Sequence, residues 1–154
     1  MSKSVVTVMG GGSFGTVIAN IIANNGYFVK FWMRSEDMAS EINNENLNSF
    51  YLPGYELNNS ILATSSMVDA VSETSLIFLA VPSSSFRSVA EEVIGFAPPS
   101  VPLISTTKGI EEGSFRLMSQ ILLEIDPRAR VGVLSGPNLA KEIAGNQYSG
   151  TVIA

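Results

Sequence analysis

Short, unbroken apolar runs recur along this chain, and most are followed by residues with the spacing of a helix. The most distinct runs occupy residues 4–9, 27–33 and 76–81, and shorter ones occupy residues 61–64, 103–107 and 131–135. Strands whose Val, Ile and Leu residues do not alternate with polar ones are buried on both faces, as in a parallel sheet covered by helices. We therefore predict an α/β fold: a doubly wound, mainly parallel sheet with helices on both faces.

The segments between these runs carry helix and loop signals. A helical repeat covers residues 14–22, Ser35 is placed to cap a short helix, and Ser66 with Asp69 resembles a capping box. Residues 45–60 are interpreted as a polar, Asn-rich loop with a turn at Pro53-Gly54. Three further helices are predicted from Phe86, Val89, Ala90 and Val93, from Phe115, Met118, Leu122 and Ile125, and from Asn138, Leu139 and Ala140 after Gly136-Pro137.

Composition narrows the functional classes. The chain has 154 residues, 45% of them hydrophobic, which suits one domain with a substantial core. A net charge of -5 with nine scattered basic residues argues against a nucleic-acid partner. The apolar runs are too short to span a bilayer and no leader pattern precedes the first strand, so we expect a cytoplasmic location without membrane insertion.

The side chains available for chemistry are also limited. The chain contains no cysteine and no histidine, so it offers no disulfide or thiolate, and proton transfer must fall to Lys, Asp, Glu, Tyr or residues outside the chain. We predict no metal site. Residues 149–154 end the chain in a strand-like run with no terminator, from which we expect these 154 residues to be the first part of a longer protein.

Glycines follow the first apolar run in the pattern Gly10-x-Gly12-x-x-Gly15, directly before a helix. In a Rossmann-type βαβ unit the first glycine permits a tight turn, the second lets a pyrophosphate touch the backbone, and the third lets the helix pack closely. Ser13 and Phe14 lie at the lip of this turn. An ordinary Gly-rich turn is the alternative, but the strand and helix context favours dinucleotide binding.

Polar residues follow several of the other strands, at the sheet edge where such folds bind ligands. Arg34 comes directly after the second strand, ahead of two acidic residues, which favours NADP over NAD because an arginine accommodates the 2′-phosphate. The alternatives are NAD as the cofactor and a solvated charge at the strand end as the role of Arg34. Lys108 follows the fifth strand, where a point charge could hold an anionic or carbonyl substrate, although a plain exposed lysine fits equally well. Gly136-Pro137 after the sixth strand suggests a helix start that could face an anion, or an ordinary turn.

Taken together, several motifs resemble bacterial NAD(P)-dependent glycerol-3-phosphate dehydrogenase over the whole chain from Val5 to Ala154. These are GGGSFGTVIA, YLPG, ATSS, VPSSSFR, TTKGIE and SGPNLAKEIA, of which the last two are the most specific. The family interconverts dihydroxyacetone phosphate and sn-glycerol 3-phosphate and feeds phospholipid synthesis. The resemblance implies that Ser13, Phe14, Arg34, Tyr51, Lys108 and Ala140 contact the dinucleotide, and that Lys108, Gly136 and Asn138 contact the phosphorylated substrate.

The resemblance also implies what this chain lacks. Members of the family are roughly twice as long, and their second, helical domain carries the proton-accepting lysine and the clamp for the substrate phosphate. We therefore expect residues 1–154 to be the dinucleotide-binding domain, without a catalytic acid or base, of a protein that forms a homodimer at full length. A position equivalent to Asn138 often carries a hydroxyl in the family.

Two alternatives stand beside this interpretation. The first is another two-domain NADP-dependent reductase, of the ketopantoate reductase or 6-phosphogluconate dehydrogenase type, in which TTKGIE followed by SGPNLAKE is not expected. The second is a dinucleotide-binding module without catalysis.

Overall fold

A computed structural model of the chain describes residues 4–154. The prediction that no leader is present rests partly on residues 1–3, which lie outside the described residues. The strands are β1 (Val5–Met9), β2 (Phe28–Trp32), β3 (Ile61–Thr64), β4 (Leu76–Leu79), β5 (Leu103–Ser105), β6 (Val131–Ser135) and β7 (Val152–Ile153). They form one sheet in the order β3-β2-β1-β4-β5-β6-β7. Neighbours from β3 to β6 pair in parallel, and β7 is antiparallel to β6.

Six helices connect or flank the strands. They are α1 (Ser13–Asn24), α2 (Glu36–Glu45), α3 (Met67–Val71), α4 (Ser83–Phe96), α5 (Met118–Ile125) and α6 (Ala140–Ala144). The predicted cap of α2 is confirmed, because Ser35 Oγ accepts from Met38 N at 3.2 Å. Only half of the predicted capping box is formed at α3: Ser66 Oγ accepts from Asp69 N, but Ser66 N donates to Thr64 Oγ1.

The strands bury both of their faces. Val8 and Phe31 belong to a core cluster that includes residues of α1 and α2, whereas the next residues along the same strands, Met9 and Trp32, belong to a second cluster with α3, α4 and α5. Successive side chains of a strand point to opposite sides of the sheet, so a strand covered on both sides needs apolar residues at every position. The doubly wound fold predicted from the unbroken apolar runs is confirmed.

The order of the strands creates a crevice. From β1 the chain builds outward through β2 to β3, and then returns to place β4 on the other side of β1. The connection that leaves β1 therefore runs toward β2, whereas the connection that leaves β4 runs in the opposite direction, toward β5. A crevice opens between them at the carboxyl ends of β1 and β4. In open α/β sheets this switch point is where ligands bind.

Two predicted strands extend two residues too far at their carboxyl ends. The run 76–81 forms a strand only through Leu79, and the run 103–107 only through Ser105. Thr106 still donates its N–H to Leu79 O at 2.9 Å, and its hydroxyl bonds the same oxygen at 3.0 Å. The two chain segments thus leave the sheet together and turn into the crevice.

Two helix predictions are wrong in part. Phe115 lies outside α5, is 74% exposed and has a φ of 58°, because residues 111–116 form a turn in which Phe115 N donates to Glu111 O. Asn138 and Leu139 lie outside α6. Asn138 N donates to Gly136 O at 2.8 Å, which closes a tight turn directly after β6 and delays the helix until Ala140.

Candidate functional site

A cleft of about 630 Å³ lies at the carboxyl ends of the central strands. Gly10 enters it after β1, Arg34 after β2, Ala80 after β4 and Thr106 after β5. Of the residues predicted from sequence, the cleft is lined by Gly10, Gly12, Ser13, Phe14, Arg34, Tyr51, Lys108, Asn138 and Ala140. Gly15 and Gly136 do not line it.

The glycines of the turn between β1 and α1 have different surroundings. Gly10 has a φ of +122°, and a Cβ added there would lie 2.5 Å from Ala80 O. At Gly12 an added Cβ would meet no heavy atom within 4 Å, so this position faces open space. At Gly15 an added Cβ would lie 1.9 Å from Gly10 O, so this glycine lets α1 pack on the turn itself.

The start of α1 is suited to an anion. Gly12 is the N-cap, and no side chain among residues 4–154 bonds the first N–H groups of the helix. Unpaired N–H groups and the helix dipole together favour a phosphate at such a terminus. The open space at Gly12 adds the room that a diphosphate needs, so the residues present fit a dinucleotide.

Arg34 lies at the exposed rim of the cleft. Among residues 4–154 its guanidinium forms no ion pair, although Glu36 and Asp37 follow in the first turn of α2. Its neighbour Ser35 is committed to capping α2. A guanidinium without a partner at this place is available to a phosphate, for which its planar array of donors is well matched.

Lys108 is exposed and lines the cleft after β5. The two preceding threonines hold this segment against the end of β4, since Thr107 Oγ1 donates to Val81 O at 2.7 Å and Thr106 Oγ1 to Leu79 O. Sequence reasoning did not assign either threonine to the site. The signal was present, because both hydroxyls lie at the carboxyl end of the predicted fifth strand, where such folds bind ligands.

The segment after Lys108 is fastened to α4. Arg87 binds Glu111 through two hydrogen bonds, Nε to Oε1 at 2.7 Å and Nη2 to Oε2 at 2.8 Å, and Ser114 Oγ also donates to this carboxylate. Glu124 accepts from Arg116 at 2.9 Å and from Arg87 at 3.4 Å. The pKa of Glu111 is lowered to about 2, mainly by its hydrogen bonds to Arg87 and to a smaller extent by the one from Ser114. The hydrogen bonds between Arg87 and Glu111 also raise the pKa of Arg87.

Asn138 is 6% exposed and lines the far side of the cleft. Its Oδ1 accepts from Ser149 Oγ and Thr151 Oγ1, both at 2.8 Å, and its amide NH₂ has no hydrogen-bond partner within residues 4–154. Gly136 has a φ of +150°, and an added Cβ would lie 2.2 Å from Gly150 O. Gly136 therefore packs against the chain behind the cleft and supports Asn138.

Tyr51 reaches the cleft from the loop between α2 and β3. Its ring packs edge-to-face on Phe50, with centroids 4.8 Å apart. Ser13 Oγ donates to Tyr51 O at 2.7 Å, so the loop is attached to the first residue of α1. The turn predicted in this loop at Pro53-Gly54 is present, and Gly54 has a φ of +83°. The loop is less polar in its packing than predicted, because Leu52 and Leu57 are buried in the core.

Two kinds of feature are absent from the part of the chain that the structure describes. Residues 4–154 contain no group of three or more Asp, Glu, His or Cys side chains arranged to hold a metal ion. Within the same range, no helix has both the length and the apolar character that crossing a bilayer requires.

The strand order and the glycine turn at the switch point define a Rossmann-type dinucleotide-binding fold. Residues 5–154 match the model of the family described as NAD-dependent glycerol-3-phosphate dehydrogenase N-terminus. The chain belongs to this family, as the resemblance implied.

Individual relatives agree with this assignment. The chain is 54% identical over 149 residues to glycerol-3-phosphate dehydrogenase (NAD(P)+) of Teredinibacter turnerae, which covers 97% of this chain and 44% of the relative. It is 48% identical to the enzyme of the same name from Saccharophagus degradans, over 99% of this chain and 43% of the relative. The crystal structure of glycerol-3-phosphate dehydrogenase from Coxiella burnetii superimposes with a TM-score of 0.91 at 28% identity, over 98% of this chain and 46% of that one. The chain thus spans less than half the length of these relatives.

Proposed function

We propose that residues 1–154 form the cofactor-binding domain of an enzyme that transfers a hydride between NAD(P)H and dihydroxyacetone phosphate or sn-glycerol 3-phosphate, with NADP preferred. The observation that supports this best is the meeting of the glycine turn, Arg34 and Lys108 in one cleft. Membership of the family and the names of the relatives point to the same chemistry.

The cofactor would be held by three groups of this chain. The N–H groups at the start of α1 would bind the diphosphate, Arg34 would bind the 2′-phosphate, and Val81 with Pro82 would line the nicotinamide side of the cleft. When bound, the reduced nicotinamide supplies the hydride.

The substrate would meet a cation and an amide. The ammonium group of Lys108 and the free NH₂ of Asn138 are donors that can stabilise negative charge developing on a carbonyl oxygen. Such donors are effective when their positions are set beforehand, and both residues are held by neighbouring hydrogen bonds. Gly136 would support Asn138 through the bond from Asn138 N to Gly136 O, and its own contact with the substrate remains a prediction.

The proton that must follow has no evident source here. The chain has no histidine, and Lys108 is proposed as a substrate contact rather than as the acid. By the resemblance, the proton-accepting lysine and the phosphate clamp lie in a second domain. A role in phospholipid synthesis, a cytoplasmic location, a homodimer at full length and the lack of a nucleic-acid partner remain predictions.

Trp32 provides a direct test of cofactor binding. It is the single tryptophan of the chain, is 8% exposed and lines the cleft. Reduced nicotinamide absorbs at the wavelengths where tryptophan emits, so we expect NADPH to quench the fluorescence of Trp32 in a saturable way. The affinity derived from this titration should be higher for NADPH than for NADH. Free N-acetyltryptophanamide corrects for absorption of the light. Absence of a saturable change with either cofactor would contradict the proposal, and binding without any turnover in the full-length protein would favour the non-catalytic module.

A further inference from the structure

The loop between α2 and β3 contains an asparagine that is completely buried. Asn48 is 0% exposed, although it lies between two residues that reach the surface in a segment of irregular structure. A buried amide is costly unless its donors and its acceptor are paired. Its partners therefore indicate what the side chain is for.

The three hydrogen bonds of the Asn48 side chain within residues 4–154 all lead toward the cofactor cleft. Its Nδ2 donates to Gly11 O at 3.0 Å and to Thr16 Oγ1 at 2.8 Å, and its Oδ1 accepts from Tyr51 N at 3.3 Å. One side chain thus connects the glycine turn, the first turn of α1 and the loop that brings Tyr51 to the cleft.

The bond to Gly11 sets the direction of a peptide plane. The C=O of Gly11 and the N–H of Gly12 belong to one planar trans peptide, so they point in opposite directions. Because Asn48 holds the carbonyl from inside the protein, the Gly12 N–H points away from the interior. Gly12 lines the cleft, and no acceptor for its N–H lies among residues 4–154.

Thr16 does the same for the next peptide. Its hydroxyl and its N–H both bond Gly12 O, at 2.8 and 2.9 Å, and it accepts in turn from Asn48. The Ser13 N–H therefore points out of the helix start. Two consecutive donors are fixed in one orientation by a network that has Asn48 at its centre.

We infer that Asn48 is a positioning residue for anion recognition: it holds the Gly11–Gly12 peptide so that the Gly12 N–H is presented to the diphosphate of the cofactor. This inference rests on the proposed function. The glycines by themselves leave the peptide free to rotate, and a donor fixed before binding loses less entropy when the ligand arrives. Asn48 supplies that constraint from a loop that is distant in sequence.

The test compares two variants with a matched control. Asn48→Ala removes all three bonds, whereas Asn48→Asp keeps the acceptor for Tyr51 N but replaces the donor to Gly11 O by a carboxylate oxygen. Asn59→Ala is the control, since Asn59 is exposed in the same loop and makes no side-chain hydrogen bond within residues 4–154. The probes are NADPH and adenosine 2′-monophosphate, which has no diphosphate.

We expect both Asn48 variants to bind NADPH about tenfold or more weakly, with binding of adenosine 2′-monophosphate unchanged and Asn59→Ala like wild type. A variant that loses both ligands equally would show that Asn48 only supports the fold, and one that binds NADPH as well as wild type would also overturn the inference. If wild type itself binds no NADPH, the proposed function fails instead.

A measurement on the wild type can still contradict the inference if both variants unfold. In ¹⁵N-labelled protein, the Gly12 amide resonance should shift on addition of NADPH, with the same saturation curve as the quenching of Trp32. Adenosine 2′-monophosphate should leave that resonance in place. Saturable quenching without a shift of the Gly12 amide would overturn the inference and leave cofactor binding intact.

Discussion

At the scale of single residues, we expect substitutions at two glycines of the turn to have different effects on stability. Gly12→Val places a side chain in open space with an allowed φ of -71°, so we expect the free energy of unfolding to fall by about 1 kcal/mol or less. The branched side chain of valine should nevertheless occupy the diphosphate site and strongly weaken the binding of NADPH. Urea unfolding and titration of Trp32 fluorescence measure the two effects, and equal NADPH affinity in mutant and wild type would refute the assignment of the turn.

Gly15→Ala should behave in the opposite way. The added Cβ would lie 1.9 Å from the backbone oxygen of Gly10, which cannot move without shifting the turn. Overpacking of this kind costs about 1–3 kcal/mol, and sometimes more. We expect a lower urea midpoint for Gly15→Ala than for Gly12→Val, and the reverse order would mean that α1 is not packed on the turn as described.

Arg34 tests the choice of cofactor. Arg34→Asp should weaken NADPH about ten- to a hundredfold more than NADH, because a charge-assisted contact to the 2′-phosphate is worth roughly 1.5–3 kcal/mol. Arg130→Asp makes the same change of charge before β6, at the opposite end of the sheet, and should leave both affinities nearly unchanged. Equal loss of the two cofactors in Arg34→Asp would indicate a structural role.

At the scale of elements, the stability of the folded chain should depend on pH through Glu111, which lies in the segment after Lys108. Its pKa is about 2 in the folded chain against 4.5 for the free group. The stability that it contributes is therefore complete above pH 4.5 and is lost as the pH falls toward about 2. We expect Glu111→Gln to lower the urea midpoint at pH 7, with a difference from wild type that shrinks as the pH approaches 2.

The neighbouring Glu112 is the matched control for this effect. It is exposed and forms no ion pair within residues 4–154, so Glu112→Gln should follow the wild type over the whole pH range. If the two variants behaved alike, the pairing of Glu111 with Arg87 would not stabilise the segment.

At the scale of the whole molecule, we predict that these 154 residues bind cofactor but do not turn over. The cleft offers Lys108 and Asn138 as donors, but the chain has no histidine to move a proton. Loss of general acid–base help costs about 10²–10⁴-fold in rate, and loss of substrate orientation costs more. The assay is NADPH oxidation with dihydroxyacetone phosphate beside a full-length family member. A rate within about tenfold of that enzyme would make Lys108 the catalytic acid.

The elements that sequence patterns predicted well are those whose signals are local. Strands with apolar residues at every position, the cap at Ser35 and the glycine spacing each reflect chemistry within a few residues of chain. The apolar spacing of Phe115 was misleading for the same reason: it fits a helical repeat, but the turn closed by Glu111 holds Phe115 at a positive φ. At Asn138, a bond to Gly136 O prevented the helix from starting where the pattern placed it.

Local patterns in the chain were therefore sufficient for the six parallel strands, the position of the glycine turn and the strand ends that meet in the cleft, because parallel strands place their carboxyl ends at one edge. Contacts between distant segments were decided only in the folded molecule. Asn48 is one of several asparagines in a polar loop until the loop folds over α1 and brings it to Gly11, 37 positions earlier in the chain. A hydrogen bond of this kind depends on the direction of both partners in space, and no pattern of neighbouring residues encodes that direction.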